Sequence, residues 1–266
     1  MDNLKIYCMC LQNSNLEIIK NLNYIPVGLK NNDFSKEWLR DNTKENISEK
    51  NPFYGEYTFY YWYWKNLLEY KKENEWVGFC PYRIYWKNKN NINSNKLKDL
   101  VLQNYETEWK NYDAIIGEPI SIGGTKVIKV IKYGKLAILR NPKAIFSKSG
   151  RTIRWQFDMF HGSGNLDKAI DLLDDNDRED FRKYTRQNVS FSRGCMFICR
   201  SKKIMNDYYS SLFPWLERCE KIFGFELKGY GNVRIYAFLA ERYHSYWFNK
   251  YTKALLWPVI FYDITK

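Results

Sequence analysis

Residues 41–86 read DNTKENISEKNPFYGEYTFYYWYWKNLLEYKKENEWVGFCPYRIYW. Tyr57, Tyr60, Tyr61, Trp64 and Leu68 recur at three and four residues with no Gly or Pro between them, which predicts a helix over Glu56–Tyr70. Glu75–Tyr82 (EWVGFCPY) then reads as an apolar strand that stops at Pro81, which has no N–H for a ladder. Asn, Glu, Lys and Arg are set among these rings more densely than core building requires. The stretch is therefore the first place to look for a binding site.

Outward from it, Leu4–Cys10 is expected to be a first strand with Cys8 and Cys10 on one face, and Asn23–Leu29 an extended segment. Residues 30–52 read as loop with a short helix near Phe34–Arg40. Downstream come an exposed loop over 87–97, a helix over Lys96–Trp109, a strand over Asp113–Ile120 and a loop at Gly123-Gly124. KVIKVI (126–131) and KLAILR (135–140) suggest a hairpin, and 141–156 an irregular basic loop with Lys143, Lys148, Arg151 and Arg154. A helix is expected from Asn165 to Leu173, a buried strand over 195–199, helices over Ile204–Phe223 (kinked near Pro214) and Val233–Phe248, and a last strand over 255–264. Strands alternating with helices, with no repeat and no linker, point to one α/β domain over 1–266.

The hydrophobic share of 45% and aromatic share of 18% exclude a disordered chain. No apolar run approaches the roughly 18 residues of a membrane-spanning helix, and the first residues lack a signal-peptide pattern. A cytoplasmic protein with reduced, buried thiols is the expectation for its six cysteines. Lys and Arg number 42 against 30 Asp and Glu, a net +12 that favours nucleic acid, nucleotide diphosphates or an anionic membrane leaflet. The excess is dispersed, so it does not choose among them.

Four constellations carry candidate chemistry. Glu56, Lys65 and Asn66 accompany Tyr61, Trp62 and Trp64, rings able to stack on a base or sugar beside a lysine able to meet phosphate; the alternative is core rings with solvated ions. Tyr82 and Arg83 follow a strand end, where ligands of open α/β sheets gather; the alternative is an arginine capping the sheet edge. His161 precedes Gly-Ser-Gly and a helix start, which suits either an anion ligand or base, or a histidine that fixes its own loop. Arg234, Glu241 and Arg242 fall on one helix, and Glu241 is either a base for an acceptor hydroxyl or half of a buried ion pair. There is no P-loop, GxGxxG, GxSxG or zinc spacing. The one Asp-x-Asp pattern, Asp175-Asn176-Asp177, reads as the solvated end of a helix, so no metal ligand is assigned.

The chain resembles a bacterial family first catalogued as a domain of unknown function and associated with glycosyltransferases of surface-polysaccharide assembly. The matching residues are Val27-Gly28, Asp41-Asn42, Asn46-Ile47-Ser48, Lys50-Asn51, Glu56, Thr58, Tyr61-Trp62, Trp64-Lys65-Asn66 and Gly78 to Tyr85. Later blocks are similar too: YDAIIGEP, the His161 loop, Met196-Phe197-Ile198, Leu212-Phe213, and Arg234 with Phe238 to Arg242. Pro81 stands where the family has a histidine, Ile84 where it has a second arginine, and Leu11-Gln12 where it usually has His-Lys.

The resemblance implies a GT-A-like fold, a Rossmann-type mixed sheet flanked by helices, with a nucleotide-sugar half over about 1–120 and an acceptor half over about 121–266. It implies transfer of a sugar, galactosyl or galactofuranosyl, from a nucleotide diphosphate sugar (UDP favoured) to a hydroxyl of capsule, O-antigen or lipooligosaccharide. Val27, Gly28, Asp41, Asn42, Asn46, Glu56, Tyr61, Trp62, Lys65, Asn66, Tyr82, Arg83, Arg234 and Arg242 are then expected at the donor. Glu241 and His161 are the expected catalytic groups. Manganese or magnesium is an open option, and a lipid-linked acceptor would bring peripheral contact with the inner face of the membrane. The rival readings are a single-strand nucleic-acid binder and an inactive scaffold of the same fold.

Overall fold

The computed structural model describes residues 3–30, 32–90, 94–122 and 147–265. They form two compact units, Met1–Glu118 with Gly194–Ser210 and Trp247–Lys266, and Pro119–Arg193 with Ser211–Tyr246.

The first unit is built on a mixed sheet. Its strands are β1 (Asn3–Cys10), β2 (Ile25–Gly28), β3 (Leu39–Arg40), β4 (Glu75–Pro81), β6 (Ala114–Gly117), β9 (Phe197–Cys199) and β10 (Ala254–Trp257), in the order β10-β6-β9-β4-β1-β2-β3. β1 pairs in parallel with β2 and β4, and β2 with β3, whereas β9 runs antiparallel to β4 and β6. A separate antiparallel pair joins β5 (Ile84–Trp86) to β11 (Val259–Phe261). This is the expected Rossmann-type α/β architecture.

The period of two sorts the central strands into two faces. Ile6, Cys8 and Cys10 share a core with Trp76, Cys80, Trp86, Trp109, Ile198 and Trp257. On the other face Tyr7 stacks on its register partner Phe79 at 5.7 Å. Helix α3 (Tyr57–Asn66), preceded by the short α1 (Leu16–Asn21) and α2 (Asn51–Tyr54), covers this face. Phe59 and Tyr63 lie 5.5 and 5.4 Å from Tyr7, and Tyr60 4.8 Å from Phe79. Burying such rings contributes about 1.5–3 kcal/mol each.

Several local expectations are corrected. Lys96–Trp109 is not one helix: α4 spans only Leu97–Leu100, and Val101–Leu102 return extended beside Trp86–Lys87, burying both apolar side chains. Phe34–Arg40 is not helical, because Leu39 and Arg40 pair with Val27 and Gly28. Pro258 divides the last run into β10 and β11. The hairpin over 126–140, Gly123-Gly124 and Lys143 lie outside the described residues.

The second unit pairs β7 (Pro119–Ser121) with β8 (Ser190–Ser192) and adds α5 (Ile153–His161), α6 (Asn165–Ile170), α7 (Asp175–Gln187) and α9 (Tyr230–Val233). The later part of α8 (Lys202–Phe223) and the earlier part of α10 (Ile235–Tyr251) complete it. Phe181 is packed by Trp215, Tyr243 and Tyr246. Residues 153–156 belong to α5, not to a basic loop: Thr152 Oγ1 caps the helix by accepting from Trp155 N, Arg151 is buried, and Arg154 pairs with Asp167 at 2.7 Å. Asp177 is likewise not on a solvated face. It starts α7 and accepts the hydroxyls of Tyr243 and Tyr246, each at 2.8 Å.

Gly28 has a packing reason: a Cβ there would lie 2.7 Å from the Phe34 ring. Gly28→Ala is expected to destabilise the protein by about 1–3 kcal/mol, with recovery when Phe34→Leu is added. Urea melts of the single and double variants check this.

Candidate functional site

In the first unit β1 leads outward to β2 and β3 on one side, and β4 joins it on the other. The chain therefore changes direction across the carboxyl ends of β1 and β4, the switch point at which open α/β sheets bind ligands. Two backbone bonds tie this edge together, Leu29 N to Cys10 O and Tyr82 N to Met9 O, each 3.0 Å. Val27 is wholly buried there, and Tyr82 half-buried.

Asp41 immediately follows β3 and is wholly buried. Asn51 Nδ2 donates to Thr58 Oγ1 at 3.0 Å, and Thr58 donates onward to Asp41 Oδ2 at 2.6 Å. Oδ1 is shielded from solvent and lacks a well-formed partner among the described residues. Burial pushes the carboxyl up to about 6, opposed by the Thr58 hydroxyl, the Lys30 backbone N–H and the Arg40 charge. Arg40 itself donates to the carbonyls of Lys30 and Asn32 at 2.7 and 3.1 Å.

The rest of the 41–66 block holds its own loop. Trp62 Nε1 donates to Thr43 O at 2.7 Å, and Asn66 Nδ2 to Glu45 O at 2.7 Å. Tyr61 donates to Glu45 Oε1 at 3.0 Å, and Lys65 lies 3.7 Å from the same oxygen and 4.0 Å above the Trp64 ring. Asn46 Oδ1 accepts from Ser48 N and Oγ, an Asx turn. Asn42 and Glu56 are half-buried. Arg83 is exposed beyond β4, stacks on Tyr82 at 4.8 Å and pairs with Asp263 at 3.2 Å.

The second unit brings together His161, Arg242 and Glu241. Arg242 is buried between rings, 4.5 Å from Phe191 and 5.5 Å from Phe157. Its Nη1 donates to Glu241 Oε2 at 2.7 Å and its Nη2 to Gln156 Oε1 at 2.8 Å. His161 ends α5 and is not in the loop after it. Its ring stacks on Phe238 at 4.0 Å, with Nδ1 2.9 Å from Gly231 O, a geometry that assigns the proton to Nδ1. Burial, then the Arg242 charge, lower its pKa to about 3. At neutral pH the imidazole is uncharged and a feeble base. Arg234 donates from Nη1 to Tyr230 Oη at 3.2 Å.

Sequence reasoning passed over Arg40, Gln156 and the Asn51–Thr58 relay as site groups. Thr58 and Asn51 stand inside the recognised pattern, but only folding brings them to Asp41. Among the described residues no three His, Cys, Asp or Glu side chains gather as metal ligands.

A family model described as "Domain of unknown function (DUF4422)" matches residues 5–253. The apo structure of the WbbM bifunctional glycosyltransferase is similar in fold, with a TM-score of 0.68 over 97% of this chain at 19% identity. This chain spans 45% of that one. No curated protein matches the chain.

The raised Asp41 pKa sets a sign. Its contribution is full below the unfolded value near 3.8 and is lost as pH rises through about 6. Relative to Asp41→Asn, the native protein is expected to lose up to about 3 kcal/mol between pH 4 and 7. Paired urea melts across that range test it; parallel stability curves would sink it. For His161, ring-nitrogen NMR should show the neutral Nδ1–H form throughout pH 5–8; an inflection near 6.5 would contradict the burial argument.

Proposed function

The chain belongs to the DUF4422 family, and we propose that it is a nucleotide-sugar-dependent glycosyltransferase of bacterial surface-glycan assembly. The switch point across β1 and β4 carries the proposal, because four successive strands deliver their following segments to the edge where such sheets bind nucleotides. The fold likeness to a structure described as a bifunctional glycosyltransferase supports it.

In this reading a UDP-sugar lies at the carboxyl edge of the first unit. Val27, Gly28 and Tyr82 shape that edge, and Asp41 supplies a desolvated acceptor, with Asn42 and Glu56 nearby in the chain. Arg83 is exposed, held at the Asp263 carboxylate and the Tyr82 ring, and is the cation we place at the diphosphate, where it would stabilise the leaving group. Lys65 is the second, held only loosely to Glu45. Tyr61, Trp62, Asn46 and Asn66 act by holding the 41–50 loop. The sugar transferred is of the galactosyl or galactofuranosyl type, and the acceptor, taken by the second unit, is a hydroxyl of a lipid-linked or surface-polysaccharide glycan. Glu241 is its proposed carboxylate; Arg242, enclosed by rings and paired to Glu241, positions it. The neutral His161 supports α9 and not phosphate.

A single-strand nucleic-acid binder needs rings open to bases, yet Tyr57, Phe59, Tyr60, Trp62 and Tyr63 are buried. Among the described residues no helix is long and apolar enough to cross a membrane.

The test is a melting-temperature screen against UDP-, GDP-, CMP- and dTDP-sugars, each with and without manganese. A ligand at a hundredfold excess over Kd stabilises by about 2.7 kcal/mol, several degrees of Tm. A rise with UDP-sugars, reduced in Arg83→Ala, is expected. A flat response to every nucleotide sugar would overturn the proposal, and binding without sugar release or transfer would leave the scaffold reading.

A further inference from the structure

Beside His161 the second unit carries features that the donor reading does not use. Gly231 packs so closely on α5 that a Cβ would lie 2.1 Å from Phe160 O, so the backbone segments that carry Phe160 and Tyr230 meet there. Both rings face solvent, Phe160 at 36% exposure and Tyr230 at 71%. Tyr230 is held at its hydroxyl by Arg234, whose guanidinium also lies 5.6 Å from the ring centre. In the same two chain segments Ser163 Oγ and Asn232 Oδ1 are shielded from solvent without a hydrogen bond among the described residues. Asn232 Oδ1 would be 3.5 Å from a Cβ on Gly162, the residue before Ser163. Gly162 and Gly164 both hold positive φ, +92° and +84°, so the turn presenting Ser163 is one that side chains would strain.

Unsatisfied polar atoms call for a partner, and large exposed rings call for an apolar face. One ligand class supplies both. A pyranose has a C–H face that covers a ring and hydroxyls on its rim that donate to Asn232 Oδ1 and exchange with the Ser163 hydroxyl. Ser163 and Asn232 are only half-buried as residues, so rotation of their side chains carries the polar atoms toward the surface.

We propose that Phe160, Tyr230, Ser163 and Asn232 form a carbohydrate subsite that holds one pyranose of the acceptor glycan, an assignment that rests on the glycosyl-transfer reading. Tyr230 and Phe160 give the stacking surface, and Ser163 and Asn232 fix the orientation of the sugar about it. Arg234 is a positioning residue that keeps the Tyr230 ring in place.

Saturation-transfer NMR on the full chain tests this with methyl β-galactopyranoside, with glycerol as a polyol lacking a ring face and UDP as competitor. Saturation should reach the pyranoside ring protons and not glycerol, and UDP should not displace the sugar. Tyr230→Ala should weaken pyranoside binding between about three- and tenfold, the scale of one aromatic contact. Tyr230 is exposed, so this variant should melt as the native protein does and keep its nucleotide-sugar Tm shift. Asn232→Ala should weaken the sugar without changing the glycerol control. No transfer, transfer unchanged in Tyr230→Ala, or displacement by UDP would overturn the subsite. A pyranoside signal without any nucleotide-sugar Tm shift would remove the acceptor role and the transferase reading, while leaving a sugar site.

Discussion

Asn3–Met9 of β1 pairs in parallel with Glu75–Pro81 of β4, and this ladder sits where both faces of the first unit's sheet are covered. A parallel strand buried on both sides has no solvent face to absorb a change in register, since a shift of one residue would exchange Tyr7 and Cys8 between dissimilar cores. Gly78 tightens the same region: a Cβ there would lie 2.8 Å from Ile198 on β9. The ladder ends at Met9 and Pro81. It therefore sets where the candidate nucleotide edge lies, and the Tyr82 N to Met9 O bond extends that geometry into the segment after β4.

Residues that look like ligand contacts in the 41–66 block are largely engaged with one another. Tyr61, Trp62, Lys65 and Asn66 hold Thr43–Glu45 from the surface of α3. Asp41 differs from them in being fully buried, with a carboxyl that burial keeps near pH 6 and a hydroxyl relay on one oxygen only. A pattern of this kind couples stability to binding. The loop that would line the edge is held by the helix that completes the core.

In the second unit low dielectric decides the chemistry. Arg242 lies among phenylalanine rings and is compensated by Glu241, Gln156 and a backbone carbonyl, which is how a buried guanidinium is tolerated. The same charge and burial keep His161 neutral, and its Nδ1–H to Gly231 O bond turns the ring into a strut between α5 and α9. Pro81 occupies the strand end where the resemblance places a histidine. Both histidines of the chain, His161 and His244, lie in the second unit.

By itself the sequence determined the α/β class, the strands at Leu4–Cys10 and Glu75–Pro81, the aromatic helix after Glu56 and the long α8 and α10. Each is written in a period of two or of three to four, or is bounded by a proline, and such local patterns survive in any surroundings. Lys96–Trp109 shows the limit. Its composition permits a helix, but Val101 and Leu102 gain more by extending against Trp86 and entering the core. Likewise Asp177 has the sequence of a solvated helix end, and only the two tyrosine hydroxyls reaching it from α10 make it a buried acceptor. Asp41, Thr58 and Asn51 were legible as motif letters, but their relay, the rise in the Asp41 pKa and the neutrality of His161 depend on which groups desolvate which. Desolvation is a property of neighbours distant in sequence, so only the tertiary structure decided it.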